Sequence, residues 1–246
     1  MSIEMSGELD SIAQSSKYWP NSSIHGGAFS PDGQYYHSAD TQGNAVWAHR
    51  VDRPSGTLGD LVNVVLSPFN SSDPRHIAVH PSGKKVYAIM EHASLVVSYT
   101  VDPDTGVLSQ DNALYSMLPP GSDIEKYWSD EIAVSQSGKY LWATNRGKSG
   151  RKGYISAFDL DASGRIMQQN FLIQTSTSGG VANAVAILDD SDRFVALADN
   201  EVGFVEMWEL AADGKSAEPI ARLNLTDRAE LERYNSGCCA NVVWLS

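Results

Sequence analysis

Two sets of polar residues stand at fixed distances from a turn that recurs along the chain. His25, Arg75 and Asp130 lie eight residues before Gly33, Gly83 and Gly138, and Glu91 and Arg146 lie eight residues after Gly83 and Gly138. The matching places in the first and fourth repeats hold Asp40 with Thr41 and Asp199 with Asn200. A position that only supports a fold tends to keep its residue from repeat to repeat, whereas here the types change, as they do where a site is grafted onto a scaffold. Two arginines converging in a cleft can hold an anionic small molecule through their forked N–H donors. Any one of these residues, taken alone, could be an ordinary solvated loop residue. His25, Arg75, Glu91 and Arg146 taken together point to a site.

The elements that must position them are short strands. The segments SPDGQYYHSAD, HPSGKKVYAIMEH, SQSGKYLWATNR and DDSDRFVALADN each place a tight turn between two β-like runs, with Asp192 in the fourth glycine's place. The turns recur at intervals of roughly 50 to 55 residues, close to the period of kelch-like blades. Within the second repeat, His76 to Val79 precedes the turn, Lys85 to Met90 follows it, Leu95 to Val101 forms a third strand, and DPDTG turns the chain into Val107 and Leu108. The expectation is an all-β propeller occupying 1–246 as one domain, with repeats starting near residues 24, 75, 130 and 182. In such a blade the entry to the first strand and the exit of the second lie at one end, because the strands are antiparallel. Both polar sets therefore ring one mouth of a central channel.

Four repeats fall short of a seven-bladed ring, which needs on the order of 350 residues at this period. The segment 238–244, CCANVVW, reads as a closing strand. An open arc exposes strand edges and one side of its core, which favours pairing with another chain, so a homo-oligomer is among the expected assemblies.

Composition narrows the partners. The 246 residues carry a formal charge of −12 and are 42% hydrophobic. That charge disfavours nucleic acid and anionic membranes, both of which require a basic face. No window approaches the roughly 18 apolar residues of a membrane span, and the N-terminus lacks the regions of a signal peptide, so a cytoplasmic protein is expected. The two cysteines are adjacent and read as small packing residues rather than a disulfide framework. His37, His49, His76, His80 and His92 show no metal-ligand spacing, and no phosphate loop, dinucleotide fingerprint or nucleophile elbow is present. Neither metal nor cofactor is expected.

The segments NSSIHGGAFSPDGQYYHSADTQGNAVWAHR, DPRHIAVHPSGKKVYAIMEHASLVVSYTVDPDTG and YWSDEIAVSQSGKYLWATNRGKSGRKGYISAFDL resemble the fungal-type 3-carboxy-cis,cis-muconate lactonizing enzymes, within the lactonase-like seven-bladed propellers. TSTSGGVANAVA and CCANVVWLS are similar to that family's last blades and C-terminal strand. The resemblance runs from about Asn21 to the end and implies a cofactor-free cycloisomerase of aromatic degradation, in which a substrate carboxylate adds to its own conjugated double bond and the neighbouring carbon is protonated. It places the family's histidine, two arginines and glutamate on His25, Arg75, Arg146 and Glu91. Arg75 and Arg146 would then bind substrate, with Arg146 also stabilising developing charge, while His25 and Glu91 would handle the proton, in an order left open. Val181 stands where relatives often carry histidine, and Arg151 competes with Arg146 for its role. A lactone hydrolase and a non-catalytic propeller remain the alternatives.

Overall fold

A computed structural model describes residues 14–225 and 239–245. Among the described residues sixteen strands form four antiparallel sheets, each a meander of four consecutive strands. Sheet 1 holds β1 (Ile24–Phe29), β2 (Tyr35–Asp40), β3 (Ala45–Asp52) and β4 (Thr57–Leu66). Sheet 2 holds β5 (Pro74–Val79), β6 (Lys85–Met90), β7 (Leu95–Val101) and β8 (Leu108–Ser116). A single 3₁₀ turn, Ile124–Lys126, leads into sheet 3, made of β9 (Tyr127–Val134), β10 (Tyr140–Gly147), β11 (Tyr154–Leu160) and β12 (Ile166–Gln174). Sheet 4 holds β13 (Val185–Ile187), β14 (Phe194–Asp199), β15 (Phe204–Leu210) and β16 (Ala217–Asn224).

The turns between first and second strands explain why the repeat is legible. Gly33, Gly83 and Gly138 take φ of 67°, 71° and 73°, a left-handed conformation that costs glycine little. Each donates its N–H to the residue three before it, Ser30, His80 or Ser135, at 2.8 Å. The fourth turn is one residue longer. Leu188 pairs its N–H with Phe194 six residues on, where Ser30 pairs with Tyr35 five residues on, and Ser191 rather than Asp192 makes the turn bond.

Packing follows from which sheets have neighbours on both sides. The strands β6 and β10 are buried along nearly their whole length, whereas β1 alternates between half-buried and exposed. Three apolar cores lie between consecutive sheets. Val46, Ala48, Val86 and Val97 join sheets 1 and 2; Tyr87, Ile89, Leu141 and Phe158 join sheets 2 and 3; Trp142, Ile155, Val195 and Trp208 join sheets 3 and 4. Four sheets joined by three cores make an arc of a propeller.

The outer face of each end sheet is met by the chain's own flanking segments. Tyr18 and Trp19 set their rings 4.9 and 4.6 Å from that of Trp47 on β3, and Tyr18 hydrogen-bonds Ser38 at 3.1 Å. At the far end, Val242, Val243 and Trp244 close a cavity of about 300 Å³ against Val205, Met207 and Leu223 of sheet 4. The closing strand expected at 238–244 is not seen among the described residues of that segment. Cys238 lies outside the described residues, and 239–245 carry no strand. The segment crosses a sheet face, anchored by Trp244 Nε1 donating to the Ala186 carbonyl at 3.0 Å, instead of pairing along an edge. The packing role expected of the cysteines also fails, since Cys239 takes part in a disulfide. No helix among the described residues is long and apolar enough to cross a membrane.

Candidate active site at the channel mouth

The inner strands of the four sheets begin at one end of the arc, and strand register shows which of their residues are equivalent. Gly27 pairs with Ser38, Ile77 with Ala88, Ile132 with Ala143, and Val185 with Leu197. Two residues before each stand His25, Arg75, Asp130 and Asn183. Counting back from Asp192 misses Asn183 because of the extra residue in the fourth turn. Counting eight residues back from Ser191, the true counterpart of Gly33, finds it.

These four form a continuous chain around the mouth. His25 Nε2 lies 2.7 Å from Arg75 Nη1, and a guanidinium can only donate, so the imidazole accepts there and carries its own proton on Nδ1. Arg75 Nε and Nη2 both reach Asp130 Oδ1 at 2.7 Å. Asp130 Oδ2 accepts the backbone N–H of Asn183 at 2.5 Å.

The second set joins from the ends of the second strands. Arg146 Nη2 donates to Glu91 Oε1 at 2.5 Å, and its Nε lies 3.5 Å from the same Asp130 Oδ1 held by Arg75. Arg146 Nη1 donates to the Val181 carbonyl, and the guanidinium sits 5.5 Å over the Trp128 ring. The structure thus gathers His25, Arg75, Glu91 and Arg146 into one cluster with Asp130 at its centre. In the flanking sheets the neighbouring positions are occupied by structural residues. Asp40 accepts from Ser23 N, Gly43 N and Trp47 Nε1 at 2.7, 2.8 and 3.1 Å, and Asp199 accepts from Val202 N at 2.8 Å.

Burial grades the cluster. The side chains of Asp130, Arg146 and Arg75 are 1%, 4% and 9% exposed, while Glu91 is 21% exposed and His25 stands open to solvent. The titration of His25 is pushed below the ordinary imidazole value, first by burial of part of its ring and then by the charges of Arg75 and His76, against the opposing pull of Glu91 and Asp130. His25 is therefore neutral near pH 7.

Other candidates fall away from the cluster. Arg151 is exposed and donates to the Lys148 carbonyl at 3.1 Å. The Val181 side chain is 66% exposed, so its contribution to the mouth is the carbonyl that holds Arg146. His76 edges against His25 at 4.9 Å and faces Glu131 at 2.8 Å. His80 ties two turns together, with Nδ1 2.8 Å from Ser82 and Nε2 2.9 Å from the Gly138 carbonyl. Among the described residues no group of three or more His, Cys, Asp or Glu is arranged to hold a metal ion. A cavity of about 330 Å³ adjoins Arg146, lined by Trp128, Lys148, Ser178 and Glu201 among others.

The pattern described as "Lactonase, 7-bladed beta-propeller" matches residues 14–171. The chain belongs to this lactonase family. Among curated relatives it is 36% identical over 215 residues to the carboxy-cis,cis-muconate cyclase of Neurospora crassa, covering 84% of this chain and 58% of that one. It is 31% identical over 214 residues to muconate cycloisomerase 1 of Cutaneotrichosporon cutaneum, covering 84% and 56%. The chain thus spans rather more than half the length of these relatives. Among solved structures, the periplasmic gluconolactonase of Pseudomonas aeruginosa superposes with a TM-score of 0.75 at 20% identity, over 90% of this chain and 62% of that one. That likeness establishes the fold, a partial propeller of the lactonase type.

Proposed function

We propose that this chain is a cofactor-free cycloisomerase that lactonizes 3-carboxy-cis,cis-muconate or a related unsaturated polycarboxylate. The observation that carries the reading is the convergence of two buried guanidiniums, Arg75 and Arg146, on one carboxylate at the mouth, with Glu91 and His25 on either side. The relatives named for muconate chemistry support the same substrate class. A small anionic substrate and a cytoplasmic setting go with this reading.

The chemistry follows from charge. A polycarboxylate entering the mouth meets Arg146, whose present partner Glu91 is the more exposed of its two anions, and exchanges with it. One substrate carboxylate oxygen then bonds to a carbon of the conjugated system, the π electrons move toward the adjoining carboxylate, and a guanidinium stabilises the resulting enolate-like charge. Protonation of the neighbouring carbon completes the lactone: one carboxylate has become the ring ester and the anion has taken up one proton, so the free acid and its lactone are isomers. Glu91, displaced from its cation by the substrate and left beside the reacting carbon, is the proton donor in this scheme. His25, neutral and accepting from Arg75, orients that guanidinium and the substrate held by it.

The test is the loss of ultraviolet absorbance of 3-carboxy-cis,cis-muconate, since lactonization destroys the diene. Removing a charge-assisted contact to the substrate is expected to lower kcat/KM by roughly 100-fold or more in Arg75→Met and Arg146→Met. Arg151→Met is expected to match the wild type. A folded chain that leaves the diene untouched refutes the cyclase reading, and hydrolysis of a lactone by the same chain would replace it with a lactone hydrolase.

A further inference from the structure

The chain of contacts across the mouth has a central member that takes no part in the reaction scheme above. Asp130 Oδ1 accepts from Arg75 at 2.7 Å and faces Arg146 Nε at 3.5 Å as an ion pair without a hydrogen bond, while its second oxygen is held by the Asn183 N–H. Its side chain is 1% exposed, so neither solvent nor an arriving substrate reaches it as they reach Glu91. Through these contacts it joins Arg75 of sheet 2, Arg146 of its own sheet 3 and the segment leading into β13 of sheet 4.

We infer that Asp130 is a positioning residue that fixes the spacing and orientation of the Arg75 and Arg146 guanidiniums before any substrate arrives. The physical reason lies in like charge. Two guanidiniums at the rim of one narrow mouth repel each other, and a small buried anion between them offsets that repulsion. Arg75 uses Nε and Nη2 on Asp130 and Nη1 on His25, which fixes the plane of its fork. Arg146 Nε makes no hydrogen bond to Asp130, which therefore acts on this guanidinium through charge alone, and its Nη2 is left to Glu91. The carboxylate itself cannot swing, because a backbone N–H anchors its far oxygen. The inference rests on the proposed reading only for the identity of what the arginines hold.

Two measurements test it, and one needs neither a variant nor a substrate. In the wild-type chain, nitrogen-detected NMR is expected to show the Arg75 Nε–H protected from solvent exchange relative to exposed Arg53. Exchange as fast as that of Arg53 overturns the inference while leaving the cyclase reading intact. The second uses Asp130→Asn, which keeps the shape and removes the charge. Misplacing a substrate-holding group by about 1 Å costs on the order of 100-fold, and a fall of that size, mostly in kcat, is expected. His25 faces Arg75, His76, Glu91 and Asp130, and loses one of its two supporting anions in this variant, so its imidazole titrates lower still. A folded Asp130→Asn with unchanged turnover and unchanged His25 titration refutes the positioning role. Should Asp130→Asn fail to fold, the exchange measurement on the wild type decides. Should the wild type lack cyclase activity, both NMR readouts still judge Asp130.

Discussion

Acid destabilisation of the arc should centre on His37, a residue far from any chemistry. It lies on β2, fully buried on the face shared with Ala39, between sheets 1 and 2. Neither ring nitrogen has a hydrogen-bond partner among the described residues. Burial lowers its pKa from 6.5 to about 4. The folded value is thus below the unfolded one, so the folded state binds the proton less readily. The associated stability is present in full above about pH 6.5 and is lost as pH falls toward 4, because only the unfolded chain gains the proton over that window. A gap of this size corresponds to ~3 kcal/mol in total, of which ~2 kcal/mol is lost by pH 5. Other ionisable groups also respond to acid, so the quantity to measure is a difference between proteins. Urea unfolding of wild type and His37→Phe at about pH 7.5 and about pH 5 should show the variant losing ~2 kcal/mol less stability on acidification. Equal losses in both proteins would refute the reasoning.

Gly26→Ala is expected to damage activity more than stability. A Cβ there would meet the Arg75 carbonyl at 2.6 Å and His76 Cδ2 at 2.7 Å, forcing β1 away from β5 beside the His25–Arg75 contact. The overpacking should cost ~1–3 kcal/mol in urea unfolding, while kcat/KM falls by an order of magnitude or more as His25 and Arg75 separate. Equal activity in the two proteins would contradict this. Trp244→Ala removes the bond to the Ala186 carbonyl and opens the apolar cavity against sheet 4. Greater binding of a hydrophobic dye and a larger aggregated fraction in size-exclusion chromatography are expected. An unchanged elution profile and dye signal would show that 242–244 do not protect that face.

Much of the fold could be read along the chain because its signals are local. A left-handed turn admits glycine cheaply, so Gly33, Gly83 and Gly138 mark their turns in the sequence itself. Strands buried on both faces are rich in consecutive apolar residues, as in VYAIM of β6 and YLWA of β10, and so stand out in the sequence. The fourth repeat was harder, since its turn carries an extra residue and no positive-φ glycine, and Asn183 was missed by that one position. The apolar segment 238–244 suggests a closing strand, but such a run states only that a segment is covered, not whether an edge or a face covers it.

The sequence by itself determined the blades, their order, and the mouth on which His25, Arg75, Glu91 and Arg146 lie, since each follows from a fixed count along a strand from its turn. Only the tertiary structure decided who touches whom across that mouth. Arg75, Asp130, Arg146 and Asn183 come from three sheets, with partners 53 and 55 residues apart linked by contacts within 3 Å. Such contacts depend on the angle and offset between packed sheets, which no local pattern encodes. The same packing buries Asp130 and leaves Glu91 partly open to solvent, a difference between two carboxylates that their residue types do not state.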